Sequence, residues 1–173
     1  MKNIWIIIVL LVVSCKSQYE VTKHIIQKTE IAPKNGSCTI ELIPNKTIEF
    51  KTDNFGISYP IISDGENVLL KYTFKKNTIK NTQDGDYTEI IYAELNSNIS
   101  NTTLNNENLQ NVKLYFGRLC YCKGATGYYP ITKGSFTVLK EENSTLNITA
   151  TFKVLEVPQI ISHFNESISL KSN

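Results

Sequence analysis

Residues able to do chemistry are few in this chain, and most fall in one stretch. Cys120 and Cys122 flank a single tyrosine, and Cys38 lies far upstream. Two cysteines one residue apart on a strand point to the same face, so either could meet Cys38 across a sheet or between sheets. The expectation is one disulfide from Cys38 to Cys120 or Cys122, with one thiol left over. Bridging Cys38 and Cys120 would close a loop of about 80 residues, for which chain entropy gives roughly 4.5 kcal/mol as an upper figure. A direct Cys120–Cys122 bond would be strained, and three buried thiols are the remaining arrangement.

Other chemistries find less support. Zinc needs four ligands, usually with C-x₂₋₄-C spacing; a C-x-C pair, Cys38 and one of the two histidines, His24 and His163, do not have it. The redox motif C-x-x-C is absent, as are H-E-x-x-H, G-x-S-x-G, S-x-x-K and a P-loop. The chain therefore reads as non-enzymatic, with no metal and no cofactor. Asp64-Gly65-Glu66 and Asp84-Gly85-Asp86 look faintly like calcium loops but lack the regular acids and closing glutamate; turn chemistry explains them. Tyr128-Tyr129, next to a loop with Gly124 and Gly127, could present two rings to a sugar or peptide, because tyrosine packs while its hydroxyl stays wet. Strand-face packing is the plainer use. With 18 basic and 16 acidic residues the net charge is +2, and there is no basic run longer than a pair, so nucleic acid is excluded as a partner.

The elements that must position these residues read as strands. Hydrophobic residues make up 41% and charged residues 20%, which allows a real core. Residues 67–75 alternate Val68, Leu70, Tyr72 and Phe74 with mostly polar neighbours, the period of a half-buried strand. Further strands are expected over 21–31, 38–43, 47–50, 87–95, 112–122, 131–140 and 146–155, with one or two short ones near 160–161 and 168–170. Pro44 should end the 38–43 strand, and Asn45-Lys46 should make a tight hairpin to 47–50. Residues 112–122 and 131–140 should pair as a long hairpin, its tip at Gly124 to Tyr129. Turns are expected at Pro33-Lys34-Asn35-Gly36, 81–86 and 141–144, with a long polar connection over 96–111 that carries at most a helical turn near 104–109. About eight to nine short strands without a convincing helix argue for an all-β antiparallel sandwich or barrel.

The first residues carry a different kind of signal. Lys2 precedes an apolar run from Ile4 to Val13, too short to span a bilayer and of the length of a secretory signal. Val12-Val13-Ser14-Cys15 then resembles a bacterial lipobox. The resemblance covers residues 1–15 and implies a signal peptide over 1–14, cleavage after Ser14, acylation of Cys15 and a membrane-anchored mature protein. Residues 15–20 would be a tether and 21–173 a single all-β domain. Two or more acyl chains anchor stably. Lys16 stands where an aspartate would resemble an inner-membrane retention signal, which favours the outer membrane and leaves periplasmic face or cell surface open. The compartment is disulfide-permissive.

The expected function is a non-enzymatic lipoprotein, a binding or envelope-associated module. Its partners would be the membrane, through Cys15, and a protein or glycan. A small extracytoplasmic enzyme or metal-handling protein would have to use Cys120, Cys122 and a histidine. An inhibitor or immunity-type protein would need a rigid exposed loop, for which 96–111 is the candidate.

Overall fold

The computed structural model describes residues 20–78 and 85–170. The expected signal peptide, Cys15, most of the tether and most of the 81–86 turn lie outside the described residues. The fold is all-β. Ten strands pair antiparallel: β1 (Ile25–Lys28), β2 (Gly36–Thr52), β3 (Ser58–Lys76), β4 (Tyr87–Leu95), β5 (Thr102–Asn105), β6 (Tyr115–Cys120), β7 (Gly127–Pro130), β8 (Gly134–Lys140), β9 (Thr145–Phe152) and β10 (His163–Ser169). They form a six-stranded sheet in the order β1-β2-β3-β4-β6-β7 and a four-stranded sheet in the order β10-β9-β8-β5. No helix among the described residues is long and apolar enough to cross a membrane.

Alternation sets the core. Val68, Leu70, Tyr72 and Phe74 of β3 face inward, as the sequence predicts, and meet Ile40 and Leu42 of β2, Phe136 and Val138 of β8, and Ile148 and Phe164 of the other sheet in one cluster. β4 differs. Ile91, Ala93 and Leu95 join that core, while Ile90 and Tyr92 are buried on the opposite face with Ile48 and Leu69. A strand buried on both faces needs a third layer over the outer side of its sheet.

That layer is the far half of the β2–β3 hairpin. Pro44 and Asn45-Lys46 do not end a short strand, contrary to the sequence expectation. β2 continues to Thr52, and β3 begins already at Ser58, well before the expected start at Asn67. The register shifts between Pro44 and Lys46, and Asn45 takes a left-handed conformation with φ 57°. This bulge bends both strands at once. The bend falls just beyond Leu42, the last β2 residue paired with β1, where a proline without an amide hydrogen is tolerated at a free edge. The arm folds back over the outer face and lays Ile48 on Leu69, Ile90 and Tyr92. Phe50 stacks on Tyr115 with ring centroids 3.6 Å apart. The turn of this hairpin is held at Asp53, whose carboxylate accepts the Phe55 and Ile57 amides.

Glu94 clamps the arm at its root. Its carboxylate accepts the Thr47 hydroxyl at 2.7 Å, the Ile48 amide at 2.8 Å, the Asn67 side chain at 2.9 Å and the Lys113 ammonium at 2.9 Å. Lys113 Nζ also donates to the Ile48 carbonyl. The unpaired edge of β2 is thus capped by one acid and one base.

Other expectations shift too. The 112–122 strand is shorter, because a 3₁₀ helix (Asn106–Val112) and a left-handed Lys113 precede β6. The partner of β6 is β7, and 131–140 is no hairpin mate: the chain crosses after Pro130 to the other sheet, where β8 pairs with β5 and β9. Residues 96–111 are not a free loop, since Ile99 and Leu109 are buried and β5 lies within them. The closing segment is one strand, β10, with Ile160 and Ile161 outside it.

Burial by itself raises the Glu94 carboxyl, but its hydrogen bonds from Thr47, Ile48 and Lys113 and the lysine charge outweigh this and hold it below the ordinary value. Its stabilisation is therefore complete above the unfolded-state value and is lost as pH falls through the folded one. Glu94→Gln should cost about 2 kcal/mol at neutral pH, measured by denaturant titration. The gap to wild type should close below about pH 4; a gap that stays constant with pH would refute the clamp.

Candidate functional site

The cysteines are arranged otherwise than expected. Cys120 is bonded to Cys122, with Cα atoms 5.2 Å apart, and Cys38 is a free, buried thiol. The predicted Cys38 cross-link fails for a geometric reason. β2 and β6 are separated by β3 and β4 in the sheet order, so three strand spacings put the two sites roughly 14 Å apart. A disulfide tolerates no more than about 7 Å between α-carbons. Cys38 instead points into the core beside Tyr72 and Thr29, and burial pushes its thiol up, with those two side chains opposing. The observed bond closes a ring of only three residues, for which chain entropy gives about 1.6 kcal/mol. It shapes a loop and staples no strands together.

That loop leaves the end of β6. The Thr126 hydroxyl donates to the Cys120 carbonyl at 2.6 Å, and the Ala125 amide donates to the Cys122 carbonyl at 3.1 Å. Arg118 Nη1 donates to the Ala125 carbonyl. Gly124 turns with φ 74° and faces open space, where a side chain would meet nothing but strain. Tyr121, between the cysteines, is 84% exposed.

Tyr128 and Tyr129 do not sit at an open hairpin tip. They belong to β7, with Tyr128 paired opposite Gly117 and Tyr129 opposite Phe116. Their rings lie half-buried on opposite faces of the sheet. Tyr128 joins Phe50 and Tyr92 under the arm at 5.8 and 6.0 Å, and Tyr129 packs against the main core. Gly117 makes the room: a β-carbon there would lie 2.4 Å from the Tyr128 ring.

The arm tip and the disulfide loop come together here. Between them lies a cleft of about 450 Å³, lined by Phe55, Ile57, Gly124, Thr126, Tyr128 and Tyr129. Phe55 stands 89% exposed at its mouth. Burial pushes both tyrosine hydroxyls above their ordinary value; at Tyr129 the Arg118 charge opposes this. Both rings stay neutral at physiological pH, and the one hydroxyl hydrogen of Thr126 is committed to Cys120. The cleft offers apolar contact with few polar groups, which suits binding better than proton transfer.

Beneath the loop lies a cluster that sequence reasoning missed. Glu89 of β4 is completely buried. Its carboxylate accepts the Tyr87 hydroxyl at 2.5 Å and the Ile160 and Ile161 amides at 2.6 and 2.7 Å. Tyr87 in turn accepts Arg118 Nε at 3.2 Å. The cluster ties the segment before β10 to the central strand. The signal was present in YTEIIYAEL, where apolar residues occupy both alternating sets, so neither face of the strand could be solvent.

The histidines are elsewhere. His24 contacts Glu41 at 3.1 Å and His163 contacts the Thr151 hydroxyl at 3.0 Å. Among the described residues no three His, Cys, Asp or Glu side chains are placed to share a metal. A second recess, of about 480 Å³, opens between residues 31–33 and β10 and contains the Tyr72–Phe164 stack.

Compared with protein-family models, curated proteins and solved structures, the chain matches none.

Non-reducing peptide mapping should find Cys120 and Cys122 in one linked peptide and Cys38 unmodified until the protein is unfolded. Alkylation of Cys38 in the native state would contradict the packing of β2. Gly117→Ala should cost about 1–3 kcal/mol through overpacking and weaken the near-ultraviolet tyrosine signal as Tyr128 is displaced.

Proposed function

We propose that this protein is a lipid-anchored extracytoplasmic binding module that holds a polypeptide partner at the cleft between Phe55 and the Cys120–Cys122 loop. The observation that carries this reading is that the cleft and the chain's entry point lie at opposite ends of the domain. Glu20 enters by bridging to Asn98, just past the Leu95 end of β4, whereas Cys120 pairs with Tyr87 at the other end. The 9 residues of β4 separate the two ends by roughly 27 Å. Five residues of chain from Cys15 to Glu20 span at most about 17 Å. An anchor at Cys15 would therefore hold the Asn98 end near the bilayer and turn the cleft away from it.

The disulfide supports an oxidising compartment. A polypeptide fits the cleft better than a glycan. Exposed Phe55 and Ile57 offer apolar contact, while a sugar would need several free hydrogen-bonding groups.

Cys15→Ala should move the protein from the membrane fraction to the soluble fraction; unchanged fractionation would sink the anchor. A photo-crosslinking residue at Phe55 should give a discrete protein adduct in intact cells. The same residue at Leu139, exposed on the four-stranded sheet, should not. Equal adducts from both positions, or none from Phe55, would remove the cleft as the docking site.

A further inference from the structure

We propose that the Cys120–Cys122 pair is a thiol–disulfide exchange site that oxidises paired cysteines of a polypeptide held in the adjoining cleft. This goes beyond binding and rests on the proposed extracytoplasmic setting and on the cleft as the polypeptide's docking site. The first support is that the segments around the bond have other fastenings. β6 and β7 are paired from Tyr115↔Pro130 to Arg118↔Gly127, and Thr126 holds the Cys120 carbonyl independently. A bond that stabilises little is free to open and close. The second is access. Cys122 lies beyond the end of β6, between exposed Tyr121 and exposed Lys123, on the loop that also lines the cleft. The third is isolation: Cys38 is wholly buried, so the other described cysteine cannot intercept the exchange.

The chemistry balances without a further reactant. A substrate thiolate attacks Sγ of Cys122; the bond from that sulfur to substrate forms as the Cys120–Cys122 bond breaks, and the electron pair leaves on Cys120. Cys120 takes a proton from solvent. Thr126 Oγ1 lies 3.9 Å from Cys120 Sγ, and with its own hydrogen given to the carbonyl it offers a lone pair to the new S–H. The second substrate thiolate then attacks the substrate sulfur of the mixed disulfide. The substrate leaves as a disulfide, and Cys122 leaves as a thiolate that is protonated. Two electrons and two protons have passed from substrate dithiol to the protein pair.

The full chain in detergent, equilibrated in glutathione redox buffers and trapped by alkylation, tests this. The expected result is reversible reduction within the range those buffers cover, with the strand circular dichroism unchanged. Cys120→Ser, which leaves Cys122, should form a mixed disulfide with oxidised glutathione at least tenfold faster than Cys122→Ser does. A reduced two-cysteine peptide should be oxidised one for one by the wild-type chain. A bond that stays closed in millimolar reduced glutathione, or whose reduction unfolds the sheets, would overturn the proposal and make the pair a structural staple. Neither outcome touches the fractionation and crosslinking that test the anchor and the docking site.

Discussion

Everything in this fold depends on a central strand that has no solvent face. β4 is covered by the four-stranded sheet on one side and by the folded-back arm on the other, yet it carries two carboxylates. A buried carboxylate without partners costs several kcal/mol, so each must be supplied with donors from another layer. Glu89, on the core side, draws in the Ile160 and Ile161 amides and the Tyr87 hydroxyl. Glu94, on the outer side, draws in Thr47, Ile48, Asn67 and Lys113. The two acids face opposite ways, and between them they fix the segment leading to β10 on one face and the arm on the other.

The cleft is a consequence of the second of these. Its walls come from segments far apart in sequence, the β2–β3 turn and the loop after β6. No hydrogen bond among those described joins the two walls directly. Their spacing is set by the path of the arm, which leaves the sheet at the Asn45 bulge, is clamped by Glu94, and runs back over Tyr92, Tyr115 and Tyr128. The aromatic row converts a bend at one end of the domain into a defined gap at the other. Aromatic contacts suit this task because their area and preferred ring geometry fix distance without demanding polar partners.

Strands with one plain period were legible in the sequence. β3 is recovered from Asn67 onward, because alternation over nine residues leaves little choice of face, and β4 falls on its expected residues as an apolar run bounded by turn signals. The arm was not legible. Pro44, Asn45 and Gly65 are ordinary turn residues, and nothing local distinguishes a bulge that bends a continuing hairpin from a turn that ends a short one. The cysteines show the same limit in another form. Same-face geometry allowed Cys120 or Cys122 to meet Cys38, but sheet order decides whether they can, and sheet order follows from the long-range pairing of β3 and β4. Of the expected loop residues, Gly124, Gly127, Tyr128 and Tyr129 do border one cleft. Its opposite wall, Phe55 and Ile57, lay in a stretch that reads locally as punctuation.

The division of labour between the two kinds of cross-link follows. Had Cys38 bonded Cys120, the disulfide would have carried part of the fold and could not open without loosening it. With the carboxylate clamps and the aromatic row holding the layers, the Cys120–Cys122 bond constrains only the ring it closes. The third cysteine is harmless for the same reason: it is packed as a small apolar residue in β2, where burial keeps it protonated. The domain thus separates the contacts that hold its layers, those of β4, from the small ring at the mouth of the cleft. That separation is what the proposed exchange requires: a bond whose opening would leave the frame intact.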